Sequence, residues 1–96
     1  MYDPIKMEFI KYTEKGRKRI IRLTHTENLL LYYLYSNKGK IISFDELSAY
    51  ILNNKLDRYN YKIIVTAKSR LTKKLKEQLI IVTYSKMGYM LTKLGE

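Results

Sequence analysis

NYKIIVTAKSRLTKKLK, residues Asn60 to Lys76, holds six lysines or arginines and no acid. At about 100° per residue, a helical repeat places Ile64, Lys68, Leu71 and Leu75 in one narrow arc with Ala67 beside it, and Lys62, Thr66, Ser69 and Lys73 roughly opposite. Arg70 falls on the flank of that outward side. A helix so patterned packs on a core through its apolar stripe and shows cations and small hydroxyls to a polyanion. Those are the side chains needed in a DNA major groove, where base edges offer acceptors and thymine methyls and phosphates border the groove. The stretch predicts a DNA recognition helix. Lys68 tests the phase: it lies on the core arc, and burial without a partner would mean the helix is turned the wrong way.

The neighbours of this helix give it a role. After Glu77, the run Leu79 to Tyr84 is β-branched and apolar, Ser85 to Gly88 supplies a turn, and Tyr89 to Thr92 resumes a strand. On the N-terminal side the pattern is helical. Thr24 stands three residues before Glu27, the spacing of a reciprocal cap, and Leu29, Leu30, Tyr33 and Leu34 continue on one face, predicting a helix from His25 to Ser36 ended by Gly39. A short extended piece, Lys40 to Ile42, leads to a second box, Ser43 with Glu46, and to Phe44, Leu47, Ile51 and Leu52 on one helical face. That helix should end near Asn53 and Asn54. Lys55 to Tyr59 forms a connection longer than the turn of a tight helix-turn-helix, and Asn60 is placed to cap the third helix. At the start of the chain, Ile5 to Thr13 and Lys18 to Leu23 read as antiparallel strands joined through Glu14, Lys15, Gly16 and Arg17.

The predicted fold is therefore α+β, a winged helix-turn-helix with an N-terminal antiparallel sheet, three helices and a C-terminal β-hairpin wing. It is one domain over 1–96, divided into strands (1–23), a three-helix core (24–78) and the wing hairpin (79–93). With 96 residues, 46% of them apolar, the chain supports a modest core but no separate catalytic or sensory domain. No apolar run reaches the roughly eighteen residues of a membrane span, and Met1 to Ile10 lacks the hydrophobic segment of a signal peptide, so a cytoplasmic location without membrane contact is expected. The absence of cysteine excludes disulfides, thiol catalysis and thiolate metal sites, and the single histidine, His25, excludes a multi-histidine metal site. Asp45 and Glu46 are adjacent and cannot face each other on a helix, and Glu46 is accounted for by its cap. No catalytic residues, metal or cofactor are expected.

The net charge of +10 is uneven: residues 1–57 hold ten basic and seven acidic groups, residues 58–96 nine basic and two acidic. Such asymmetry draws a chain to nucleic acid. On charge alone, Lys73, Lys74 and Lys76 read as phosphate contacts. Arg70 is placed either for bidentate contact to guanine or for a phosphate, and Ile63 and Val65 either meet thymine methyls or pack against the second helix or the wing. Lys62, Thr66, Ser69 and Arg70 are the candidate base readers. The ten tyrosines are scattered, which favours core and interface roles over base stacking.

From Leu23 to Leu91 the sequence resembles the effector domain of OmpR/PhoB-type response regulators, the transcription factors of bacterial two-component systems. LTHTENLLLYYL is similar to that family's first helix opening, KIISFDELSAYI to its short strand and second helix, SRLTKKL to the end of its recognition helix, and TYSKMGYML to its wing. Four N-terminal strands, implied by the resemblance, fit residues 1–23. The resemblance further implies a third helix in the major groove, a wing over the adjacent minor groove, and head-to-tail dimers on double-stranded DNA. It matches Arg70 to a recognition-helix arginine, Thr83 and Tyr89 to wing residues that touch phosphate, and Gly88 to the glycine of the wing turn. Val65 and Ala67 stand where family members often have acidic and histidine residues, and Lys68 replaces an apolar one, so no target sequence carries over. Where many members have a minor-groove arginine this chain has Ser85, and Lys86 beside it is the expected substitute. The receiver domain of such regulators would need further residues, and an excised effector domain is the expectation over a regulator without a switch. Two rival readings remain: an interaction module binding an acidic partner, with the 54–59 loop touching RNA polymerase, and an RNA-binding module.

Overall fold

Side chains at the helix starts decide where the helices begin. In the computed structural model, which describes residues 1–94, the elements run β1 (Tyr2–Asp3), β2 (Glu8–Tyr12), β3 (Lys18–Arg22), α1 (His25–Ser36), β4 (Ile42–Ser43), α2 (Phe44–Leu52), α3 (Arg58–Lys74), β5 (Leu79–Tyr84) and β6 (Gly88–Leu94). At α1 the box closes both ways: the Glu27 N–H donates to Thr24 Oγ1 at 3.2 Å and the Thr24 N–H donates to Glu27 Oε1 at 2.8 Å. At α2 only half of the predicted box forms. Ser43 Oγ accepts from the Glu46 N–H at 3.1 Å, but the Glu46 carboxylate accepts from the Tyr33 hydroxyl instead of turning back to Ser43.

The start of α3 differs from expectation. Asp57, not Asn60, is the cap: its carboxylate accepts from the Asn60 N–H at 2.7 Å, while the buried Asn60 amide donates to the Lys55 carbonyl at 2.7 Å. The helix thus runs Arg58–Lys74 and not Asn60 to Lys76, because a carboxylate one turn earlier takes the cap and frees Asn60 to hold the preceding loop. Asn53 ends α2 in the left-handed region at φ 50°, close to where its sequence predicts.

Each helix buries one stripe. The buried positions are Glu27, Asn28, Leu30, Leu31 and Leu34 on α1, Phe44, Leu47, Ser48 and Ile51 on α2, and Asn60, Ile64, Ala67 and Leu71 on α3, with Leu75 next in line. They close on Phe9, Leu79 and Leu91 from the two sheets. Truncating one of the fully buried leucines to alanine would cost about 2–5 kcal/mol.

The N-terminal sheet has the order β1-β2-β3, all antiparallel, with Phe9 opposite Ile21. Three strands form where the resemblance implied four, and the first predicted strand is shortened at its start. The cause is local: Asp3 Oδ1 accepts from the Ile5 and Lys6 N–H groups, and Met7 takes φ 55°, so residues 4–7 make a turn. The second sheet has the order β4-β6-β5, which places the wing hairpin beside the short strand between α1 and α2. Gly88 lies in β6 and not in the wing turn; a Cβ there would overlap the Ile42 carbonyl oxygen. The left-handed residue of the turn is Lys86, at φ 62°.

Candidate nucleic-acid interface

The outward side of α3 is built as its periodicity requires. Lys62, Val65, Thr66, Ser69, Arg70 and Lys73 are exposed, while Ile64, Ala67 and Leu71 hold the helix to the core. Ile63 is half-buried and Val65 is 36% exposed, so of the two apolar residues in question Val65 is the one available to a thymine methyl. Lys68 is half-buried with its ammonium 5.8 Å from the centre of the Tyr89 ring. It has a partner, and the predicted helix phase stands.

Two flanks border this face. On one side the wing sheet is locked to α2 and α3 through aromatic edges: Phe44 meets Tyr89 at 5.1 Å and Tyr61 at 5.0 Å between ring centres, both nearly perpendicular. Tyr89 itself is 3% exposed, and burial, together with the nearby Tyr61, pushes its hydroxyl pKa up to about 12. Its ring is therefore part of the joint between wing and helix. Thr83, directly opposite Tyr89 in the hairpin, is exposed, as are Ser85, Lys86 and Met87 around the tip.

On the other flank, Arg70, Thr66 and Lys62 share a groove of about 440 Å³ with Thr24 and Thr26 at the start of α1 and with Tyr59. Tyr59 is 73% exposed, and Arg58 before it is exposed too. Thr26, Arg58 and Tyr59 are not among the DNA-contact candidates that the sequence marks. Arg58 and Tyr59 fall in what reads as a loop, and the approach of α1 to α3 leaves no trace in either segment alone.

Lys74 departs most from expectation. Its ammonium donates to Glu27 Oε1 at 2.6 Å and to the Arg22 carbonyl at 3.1 Å. Glu27 is 1% exposed. Burial alone would raise its carboxyl pKa, but the Lys74 ammonium and the Thr24 N–H outweigh that and hold it below its ordinary value. Lys74 is therefore a structural cation, whereas Lys73 and Lys76 are exposed and have no carboxylate partner among the described residues. Among the described residues no three His, Asp or Glu side chains gather in a way that could hold a metal ion, and no helix is long and apolar enough to cross a membrane.

A family model described as "Transcriptional regulatory protein, C terminal" matches residues 16–91. The fold is similar to the DNA-binding domain of CpxR from E. coli, with 26% identity, a TM-score of 0.73, and 97% of this chain and 89% of that one covered. It is also similar to the DNA-binding domain of Bacillus subtilis CssR, with 25% identity, a TM-score of 0.70, and 86% and 90% covered. The DNA-binding domain of the response regulator AdeR, solved in complex with an intercistronic region, shares the fold at 22% identity and a TM-score of 0.71, over 97% of this chain and 93% of that one. No curated protein sequence matches.

Proposed function

This chain belongs to the C-terminal DNA-binding domains of transcriptional regulatory proteins, the OmpR/PhoB-type effector domains, and from that premise we propose how its own residues engage DNA. The α3 helix enters the major groove of double-stranded DNA with Lys62, Thr66, Ser69 and Arg70 toward the base edges. Lys73 and Lys76 neutralise phosphates at the helix end. The wing tip, with Lys86, reaches the adjacent minor groove, and Thr83 meets the backbone beside it. Tyr89 acts from below by fixing the angle of the wing against α3. The observation that carries this reading is the exposed, acid-free side of α3, bordered by a wing that is locked to the same core.

The experiment is selection of a preferred duplex from a random pool, then titration of wild type and Arg70→Ala on that duplex and on a scrambled one. Loss of about 1–3 kcal/mol of discrimination, with little change on scrambled DNA, identifies Arg70 as a base reader. Equal loss on both duplexes assigns it to a phosphate instead.

Two partners belong to the same reading. The loop before α3 is pinned from both sides, since Ser48 Oγ donates to the Asn54 carbonyl at 3.0 Å and Asn60 Nδ2 holds the Lys55 carbonyl. A loop held this firmly, with Tyr59 exposed beside it, offers RNA polymerase a preformed surface. Head-to-tail pairing of two copies on direct repeats fits the single recognition helix of each copy.

A further inference from the structure

A second cluster of cations lies outside the helix and the wing. From Lys11 to Arg22 the β2–β3 hairpin carries Lys11, Lys15, Arg17, Lys18, Arg19 and Arg22 against one acid, Glu14. Lys11 pairs with Glu77 at 3.4 Å and Arg22 with Glu8 at 3.3 Å. Among the described residues, Lys15, Arg17, Lys18 and Arg19 have no carboxylate partner, and all four are exposed. Lys11 stands directly opposite Arg19 in the ladder. Like charges so placed destabilise a hairpin, and a solvated turn needs none of them.

The hairpin is not remote from the reading face. The Lys74 ammonium grips the Arg22 carbonyl at the base of β3, and Lys11 reaches Glu77 just beyond α3. Arg70, one turn before Lys74 on the same flank, shares its groove with Thr24, two residues after β3. The face of α3 is thus bordered by the wing on one flank and by the root of this hairpin on the other.

We infer that the β2–β3 hairpin is a second DNA-contacting surface, in which Lys15, Arg17, Lys18 and Arg19 neutralise backbone phosphates on duplex flanking the base pairs faced by α3. The inference rests on the DNA-binding reading of α3 and adds a sequence-independent grip to it. Because these contacts are electrostatic, they raise affinity and salt dependence without altering base choice.

The test compares wild type, R17A/K18A/R19A and a control that removes the same charge elsewhere, K38A/K40A/K93A, on a random-sequence duplex of about 30 base pairs across a salt series. Each neutralised phosphate adds about 0.9 to the slope of log K on log salt. The hairpin variant should lose two to three units of slope, the control less than one, and circular dichroism should show both folded. Equal slopes for the two variants, or a hairpin variant indistinguishable from wild type, overturn the inference while leaving α3 as the DNA-binding element. Failure of wild type to bind any duplex at low salt overturns both.

Discussion

Lys74 shows how one contact changes the meaning of a residue. As a letter in a basic run it is one more cation for phosphate; in the fold it is the counter-charge of a buried glutamate 47 positions away. Glu27 is a helix cap and an ion-pair partner at once, and its buried Oε2 has no hydrogen-bond partner among the described residues. Replacing Lys74 with methionine should destabilise the domain by about 2 kcal/mol, less than a fully enclosed pair because the Lys74 side chain is 34% exposed. The folded-state pKa of Glu27 lies below its ordinary 4.5, so the pairing contributes fully above that pH and is lost as the pH falls through the lower folded value. Urea melts of wild type and K74M should therefore converge below pH 4.5, and a constant gap into acid would remove Glu27 from the explanation. The salt slope of DNA binding should stay unchanged in K74M and fall by about one in Lys73→Ala.

Among the elements, legibility tracks the reach of the interactions that build them. The three helices were readable because their caps and stripes are local: Thr24 and Glu27 cap α1 as spaced, and the core arc of α3 is the one that its repeat predicts. The cap at Asp57 is not legible because two good capping residues stand three apart, and only the contact of Asn60 with the Lys55 carbonyl decides between them. β1 is not legible because two residues carry no period, and its pairing with β2 is set by the turn at Asp3. In the sequence Gly88 has the look of turn chemistry, but its use is spatial. The β4 backbone crosses so close that a Cβ at 88 would stand 2.7 Å from the Ile42 carbonyl carbon and 2.9 Å from Ser43 Cα. Gly88→Ala should separate β4 from β6 and lower unfolding free energy by about 2–3 kcal/mol. A change within about 0.5 kcal/mol, ordinary for a surface site, would contradict the close approach.

At the scale of the molecule, charge is segregated by face. From His25 to Ser36 and from Phe44 to Leu52 there is no lysine or arginine, although the chain has 19. The outer sides of α1 and α2 show tyrosines instead: Tyr32, Tyr35 and Tyr50 are exposed, and Tyr33 rests on Tyr50 at 4.1 Å between ring centres. The cations concentrate on α3 and the β2–β3 hairpin, with Lys86 alone at the wing tip. This division was only half visible in the sequence, where the second half is the more basic, because the hairpin cations belong to the first half and join α3 only through folding. If α3 and the wing are the surface that meets DNA, titrating the isotope-labelled protein with duplex DNA, with backbone amide shifts read residue by residue, should show it directly. The largest changes should fall between Lys62 and Lys73 and around Thr83 to Lys86, with Tyr32 and Tyr50 unmoved. Shifts centred on the α1 and α2 tyrosines, with α3 silent, would contradict it.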